Sequence, residues 1–199
     1  MQFFLKDVEK AKAYFLEGEG PFLSLKQVVR DARCATVQRA RFYCPSEQRD
    51  REMLWQTARD FVSELKEKYA RGGVQEEEHI ETLCAFQRTI EKSHRAVLAD
   101  GTLRFGSAQK FVNLSLKLLW VVGEIEEPPH APIDNVIAHA LGSEYKWTKS
   151  TSRSEYSAVV QKCREIASMY AMSPAVWELH YWNAWSFFTH PIKISDIEK

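Results

Sequence analysis

Two lysines and one aspartate are the residues whose types and spacing could support covalent chemistry. Lys110 and Lys117 lie seven residues apart in the mostly apolar stretch FGSAQKFVNLSLKLLW (105–120), and Asp134 follows in the segment PID. An uncharged lysine amine is a nucleophile for carbonyl-like carbons and can form a Schiff base. A rigidly held carboxylate can accept its proton or stabilise a developing cation. These residue types predict a nucleophilic site.

The position of Lys110 near a predicted helix start favours its reactive, uncharged form. Ser107 is of N-cap type, which would place Lys110 in the first turn, at the positive end of the helix dipole. Phe111 and Leu114 would remove water from the amine, and Lys117 would add a like charge on the same face. The alternative interpretation is a surface lysine with a buried stem and a solvated amine.

Asp134 and the last helix each have a structural and a functional interpretation. Asp134 precedes a predicted helix, and N-capping alone would explain it. Glu178, Trp182 and Trp185 share one stripe of the last helix, and such a stripe is usually core. An aromatic ring beside an acidic hydrogen-bond acceptor is also what a nucleobase pocket requires.

A second motif, RTIEKSH (88–94), supports a different hypothesis. Arg88 and His94 have five residues between them, a spacing that matches the arginine–histidine pattern of HEPN-type ribonucleases, which are also small and helical. The same spacing occurs in many solvated, charged helices.

Composition and charge describe a globular protein with local basic stretches. The 199 residues are 45% hydrophobic and carry no net charge, yet residues 20–51 and 93–120 each have an excess of Lys and Arg, so a phosphate backbone remains a candidate partner. The four cysteines have no zinc spacing, and we expect no metal and no cofactor. No signal sequence or membrane segment is recognisable; we expect a cytoplasmic monomer.

Helical periodicity dominates the chain, and strand signals are almost absent. We expect one all-α domain over residues 1–199, with about eight or nine helices. The predicted helices cover Phe3–Glu17, Leu25–Arg41, a segment from an N-cap at Ser46 to Tyr69, Glu76–Ala99, a segment from Ser107 to Val122, a short helix from Asp134 to Gly142, a helix from Ser152 to Tyr170, and a last helix from Pro174.

Several motifs between residues 100 and 188 occur in the order found in one known superfamily. A glycine-containing turn precedes the two lysines of QKFVNLSLK, and a proline-rich connection ends in PID at a helix start. The stretch YSAVVQKCREIASMYAMSPAVWELHYW (156–182) then places an acidic residue four positions before a tryptophan. In these features the chain resembles the helix–hairpin–helix DNA glycosylases, and among them the archaeal 8-oxoguanine DNA glycosylase branch.

The resemblance implies an enzyme that binds double-stranded DNA and excises a flipped base. The implied fold has two helical lobes around a cleft, residues 1–95 forming part of an N-terminal lobe and residues 96–188 the helix–hairpin–helix and C-terminal helices. Lys110 would be the nucleophile and Asp134 the catalytic aspartate. The implied base-pocket residues are Glu178, Trp182 and Leu114. The implied DNA contacts are Arg104, Gly106, Ser107, Ala108 and Lys117.

The identity of the base stays open. Leu114 stands where the archaeal branch has an aromatic ring, and Glu178 replaces an aspartate. The substrate is then 8-oxoguanine or another modified base, such as a bulky modified pyrimidine, and AP lyase activity would follow from an imine at Lys110. Two alternatives remain: a HEPN-type ribonuclease or toxin, and a non-catalytic DNA-binding helix–hairpin–helix module.

Overall fold

The computed structural model describes residues 7–17 and 23–189. Within them it contains eight α-helices, two short 3₁₀ turns and no strand beyond one isolated bridge between Tyr43 and Leu98. The all-α prediction is therefore confirmed. The helices are α1 (Val8–Leu16), α2 (Leu25–Val37), α3 (Gln48–Tyr69), α4 (Glu76–His94), α5 (Phe105–Val121), α6 (Asn135–Ala140), α7 (Arg153–Met169) and α8 (Pro174–Thr189).

None of the helices in this described part of the chain is long and apolar enough to cross a membrane.

Helix α5 is the centre of the fold. Every residue of α5 is buried except Leu114, which is half-buried. A helix that is enclosed on all sides must be covered by several partners, and α5 packs against α1, α2, α3, α4 and α7. Because α5 is so enclosed, any polar side chain on it must find its partner inside the protein.

The first helix prediction begins outside the described residues, at Phe3, and four other predicted helix boundaries are wrong, of which the one at Ser107 is described below. Ser46 does not cap α3; its hydroxyl donates to the Cys44 carbonyl, and Glu47 takes the cap position. Helix α2 ends at Val37 rather than at Arg41, since residues 42–44 run extended and bond to the backbone of residues 97–99. That pairing also ends α4 at His94, before Ala99.

Ser107 is not the N-cap of α5. The helix begins two residues earlier, with Arg104 in the cap position, and the amide of Ser107 already bonds to the Arg104 carbonyl. Lys110 is therefore the sixth residue of the helix. The effect of the helix dipole is largest within the first turn, so the dipole argument for Lys110 does not apply. Burial and the neighbouring residues determine its environment instead.

Candidate active site

Lys110 and Asp134 form a buried ion pair. The Lys110 Nζ atom lies 2.9 Å from Asp134 Oδ2, and the side chains are 8% and 9% exposed. The predicted proximity of the two residues is confirmed, across 24 positions of sequence. Burial raises the pKa of the Asp134 carboxyl, but Lys110 and the Ile137 amide together outweigh that effect, so the pKa is lowered. Asp134 is therefore ionised at neutral pH.

The two carboxylate oxygens of Asp134 have different partners, one in the backbone of α6 and one at Lys110. Oδ1 accepts hydrogen bonds from the amides of Val136 and Ile137, at 2.9 and 3.0 Å, and so caps α6. Oδ2 is thereby aimed at Lys110. The N-cap interpretation and the functional interpretation are thus compatible, because a carboxylate has one oxygen for each.

The segment that carries Asp134 is held by α5. The Gln109 side chain donates to the Ile133 carbonyl at 2.7 Å and accepts from the Ile133 amide at 3.2 Å. Asn113, one turn along, donates to the Ala131 carbonyl and to the Tyr156 hydroxyl. Both amide side chains are fully buried. They replace the backbone partners that the proline-containing connection cannot supply by itself.

Lys117 and Glu178 form a second buried ion pair next to the first. Lys117 Nζ lies 2.9 Å from Glu178 Oε1 and 2.7 Å from Oε2, with side chains 4% and 3% exposed. Burial lowers the pKa of Lys117 and raises that of Glu178, each against the opposing effect of its partner. Lys117 therefore does not face solvent, since its amine is buried against a carboxylate; its contact with DNA stays a prediction.

Trp182 covers both ammonium groups. The Nζ atoms of Lys110 and Lys117 lie 6.0 and 5.7 Å from its ring centroid. A cation at this distance from an indole ring is attracted by the electrons of the ring. Trp182 is itself half-buried and packs against Trp185, with ring centroids 5.0 Å apart.

The two ion pairs line one cavity of about 250 Å³. Leu114 and Trp182 also line it, so the structure brings together the predicted pair Lys110–Asp134 and all three predicted base-pocket residues. The volume lies below the roughly 300–1,000 Å³ of common small-molecule pockets, and it suits one flat ring rather than a larger ligand. Gln38 and Arg39, both exposed, lie at the end of α2 on the same cavity.

Trp147 also lines the cavity, although the sequence analysis did not predict it as a site residue. It lies in the connection between α6 and α7, is 1% exposed, and lines the cavity. Its indole N–H has no hydrogen-bond acceptor among the described residues. Glu178 Oε2 likewise receives no hydrogen bond of good geometry, although it lies close to Lys117. No local pattern marked Trp147, since a single tryptophan in a polar loop has no periodicity.

The predicted phosphate-binding residues at the start of α5 hold the Trp147 loop instead. The amide of Gly106 donates to the Ser150 carbonyl at 3.0 Å, and the amides of Ser107 and Ala108 donate to the Arg104 carbonyl. Arg104 Nη1 donates to the Thr148 carbonyl at 2.7 Å. These backbone amides all have acceptors within the protein, and DNA contact at these residues stays a prediction.

Position 106 must be glycine at this contact, because any side chain would collide with the Trp147 backbone. A Cβ atom at position 106 would lie 1.9 Å from the carbonyl oxygen of Trp147. The start of α5 and the backbone of Trp147 therefore touch directly, and this contact fixes the depth of the indole in the cavity wall.

Arg88 and His94 each have their own partner in the structure. The Arg88 guanidinium is exposed and pairs with Glu81 on the same helix. His94 is buried, and its Nε2 atom lies 2.8 Å from the Thr57 hydroxyl of α3. The ribonuclease hypothesis therefore stays a prediction.

The positive charge of the two basic stretches is neutralised to different extents in the structure. In the second, 93–120, both Lys110 and Lys117 are neutralised by buried carboxylates, so little of its positive charge reaches the surface. In the first, 20–51, Lys26, Arg30 and Arg33 line a groove between α2 and α3, whose other charged wall residues, Glu52 and Arg59, belong to α3 outside the stretch.

Comparison with known proteins found no matching family model, no matching curated protein and no matching solved structure.

Proposed function

We propose that this protein is a DNA glycosylase of the helix–hairpin–helix type, with a two-lobed fold around the cleft, that extrudes a damaged or modified base from double-stranded DNA and excises it. The observation that carries the proposal is the contact of 2.9 Å between Lys110 Nζ and Asp134 Oδ2 in the wall of a cavity sized for one flat ring. A nucleophile and a carboxylate in contact beside an aromatic ring are the parts that this reaction requires.

Lys110 is the nucleophile in this proposal. Its ammonium gives one proton to the departing base, and the amine so formed attacks C1′ of the extruded nucleotide while the bond from C1′ to the base breaks and the electron pair of that bond leaves with the base. After the bond to the base has broken, the second proton, from the new secondary ammonium at Nζ, passes to Asp134 Oδ2, which already accepts the hydrogen bond of Lys110. Opening of the sugar ring then yields an imine at Nζ, which permits strand cleavage by β-elimination.

Asp134 has a second role in the same step. As the bond to the base lengthens, the sugar acquires oxocarbenium character, and a carboxylate fixed beside it lowers the energy of that cation. The hydrogen bonds from the amides of Val136 and Ile137 hold the Asp134 carboxylate in place, and its lowered pKa keeps it ionised at neutral pH. A charged group that needs no reorganisation during the reaction is the more effective one.

The cavity would bind the extruded base. Trp182 offers a partly exposed ring for stacking, and Leu114 offers an apolar side chain from the one position of α5 that is not buried. Leu114 covers less area than an aromatic ring would, which leaves room for a substituent on the base. The pocket thus accommodates 8-oxoguanine or a modified pyrimidine.

Borohydride trapping tests the proposal. The protein is incubated with a duplex that contains one abasic site, sodium borohydride is added, and the covalent adduct is quantified on a denaturing gel. We expect an adduct whose reduced linkage maps to Lys110 by peptide mass spectrometry. Lys110→Gln abolishes it, and Asp134→Asn slows its formation by about 10²-fold or more.

A matched control comes from Lys149→Gln, which removes an exposed lysine outside the cavity and retains the adduct. An adduct that persists in Lys110→Gln, or that maps to another lysine, contradicts the nucleophile. DNA binding with no adduct on abasic DNA contradicts the enzyme and favours a non-catalytic DNA-binding module. The separate partners of Arg88 and His94 give the ribonuclease hypothesis no support.

A further inference from the structure

The groove between α2 and α3 has more positive than negative charge on its walls. Its volume is about 540 Å³. The charged wall residues are Lys26, Arg30 and Arg33 of α2 and Glu52 and Arg59 of α3. Four cations and one carboxylate leave the wall with a net positive charge, and we call this surface the basic groove.

The three cations of α2 form one row. Lys26, Arg30 and Arg33 occupy positions i, i+4 and i+7, which lie on the same face of a helix. At a rise of 1.5 Å per residue, the row is about 10 Å long. That length corresponds to about three phosphates along one strand of B-DNA, at roughly 3.4 Å of axis per phosphate. The row can therefore contact several anionic groups of one linear ligand.

The fold itself does not account for this row of charge. Like charges three and four residues apart on a helix repel each other, and Lys26 lies in the first turn of α2, at the positive end of the helix dipole. Arg30 pairs with Asp31. Lys26 and Arg33 form no ion pair with any residue that the structure describes. A bound anion would compensate the repulsion that the folded chain alone leaves in place.

Arg33 is held in position before any ligand binds. Its guanidinium carbon lies 5.3 Å from the centroid of the Trp55 ring, an attractive arrangement of cation and indole. Trp55 is itself fixed, since it donates to the Tyr43 hydroxyl at 2.6 Å and stacks on Phe42. A guanidinium beside a ring still has N–H donors for an anion. Binding at Arg33 therefore costs less side-chain entropy than binding at a fully solvated arginine.

We propose that the basic groove binds the phosphate backbone of a nucleic acid strand. Its apolar wall residues, Val29 and Trp55, are only 5% and 6% exposed, so the groove offers charges and hydrogen-bond donors but little apolar surface. A peptide gains most of its affinity from a few side chains inserted in well-packed pockets. A sugar–phosphate backbone requires cations and donors alone.

This surface goes beyond the proposed base-excision site, because α2 separates the two. Helix α2 also lines the central cavity, through Ala35, Gln38 and Arg39. At 3.6 residues per turn, Ala35 and Arg39 lie about half a turn around the helix axis from the row of cations. The basic groove is therefore a second nucleic-acid surface, on the opposite face of α2 from the cavity.

The double variant Lys26→Gln with Arg33→Gln tests the proposal. Its affinity for an undamaged duplex of about 20 base pairs is measured by fluorescence anisotropy over a range of salt concentrations. We expect the affinity at about 0.1 M salt to fall at least 10-fold, and the slope of log K against log salt to decrease by about 2. The matched control, Arg71→Gln with Lys92→Gln, removes the same charge from exposed positions outside the groove and should leave the slope unchanged.

Lys26→Glu repeats the test without disturbing the contact between Arg33 and Trp55. Lys26 is exposed, so the protein should unfold at the wild-type urea concentration while its affinity for the duplex falls. If the control double variant weakens duplex binding as much as the groove variants do, net charge explains the effect and the proposal is wrong. Groove variants that lose affinity for poly-glutamate but keep it for the duplex also overturn the proposal, in favour of an acidic peptide.

Borohydride trapping on abasic DNA separates this inference from the proposed function. At a saturating concentration of abasic duplex, the groove variants should form the adduct at the wild-type rate, because the groove is remote from Lys110. A slower adduct under saturation would show that the groove belongs to the excision site and is no separate surface. If the wild-type protein forms no adduct, the proposed function fails, while binding of the undamaged duplex still decides the groove.

Discussion

The side chain of Gln109 makes two hydrogen bonds to the backbone of Ile133, the residue before Asp134. Gln109 lies next to Lys110 on α5, so one turn of a single helix carries the candidate nucleophile and holds the segment that carries its carboxylate. The separation of 2.9 Å between Lys110 and Asp134 therefore depends on a neighbouring side chain and not on the two charges alone.

Gln109→Leu separates positioning from chemistry. We expect it to lower the free energy of unfolding by about 2–3 kcal/mol, because the Ile133 amide and carbonyl lose their partner in a buried site. We also expect slower borohydride trapping on abasic DNA, because Asp134 is no longer held against Lys110. Urea unfolding and adduct kinetics measure the two effects.

The control for Gln109 is Gln87→Leu, which removes a similar bond to the Leu103 carbonyl, away from the cavity. It should lower stability without slowing the adduct. If both variants slow the adduct equally, the effect of Gln109 is general destabilisation and the positioning role is wrong.

Removal of one member of the Lys117–Glu178 pair should be costly. Glu178→Gln leaves a buried ammonium without its carboxylate, and we expect a loss of about 3–5 kcal/mol in the free energy of unfolding. The double variant Lys117→Met with Glu178→Leu removes both charges. Its free energy of unfolding should lie within about 1 kcal/mol of that of the wild type. Chemical denaturation measures all three proteins, and a Glu178→Gln protein as stable as the wild type would contradict a buried charge at Lys117.

Gly106→Ala should disturb the Trp147 wall of the cavity. The added Cβ would lie 1.9 Å from the Trp147 carbonyl oxygen, and backbone must move to admit it. We expect a loss of about 1–3 kcal/mol in stability, as for other overpacked sites, together with slower borohydride trapping on abasic DNA, because the cavity wall has moved. Ser107→Ala, at the next and equally buried position, adds no atom and should change neither quantity by a comparable amount.

The stability of the protein should fall in mild acid because of two buried histidines. Burial, and the neighbouring His130 ring, lower the pKa of His79 from 6.5 to about 3; burial and Arg164 lower the pKa of His130 from 6.5 to about 3. Between about pH 3 and pH 6.5, the unfolded chain therefore binds more protons at these two histidines than the folded chain does. The stabilisation is therefore complete above about pH 6.5 and declines as the pH falls towards 3, by about 1.4 kcal/mol per pH unit for each histidine.

Urea unfolding between pH 7.5 and 5 measures this slope. His130→Phe should reduce the slope by one proton, whatever its effect on the stability at pH 7.5, because one titrating group is gone. A slope that is the same in His130→Phe as in the wild type would show that His130 is not neutral in the folded protein.

Local features of the fold could be predicted from the sequence, because they depend on residues that are near in the chain. Helical periodicity placed the helices, and the caps at Asp134 and Ser152 are confirmed by their side-chain bonds to the following amides. The proximity of Lys110 and Asp134 was also predicted, from residue type and from the resemblance. The predicted cap at Ser107 is wrong, since the helix is extended by a backbone contact with the distant Ser150.

Only the tertiary structure decided which polar groups are buried together. Lys117 and Glu178 are 61 residues apart, and nothing in either local sequence distinguishes a buried pair from two solvated charges. Trp147 enters the cavity wall because its backbone packs on Gly106 of another element. By itself, the sequence determined the approximate positions of the helices, the caps at Asp134 and Ser152 and the residue types available for chemistry. The packing around α5 decided which of those residues share one cavity, because burial and distance arise only when segments remote in the chain come together.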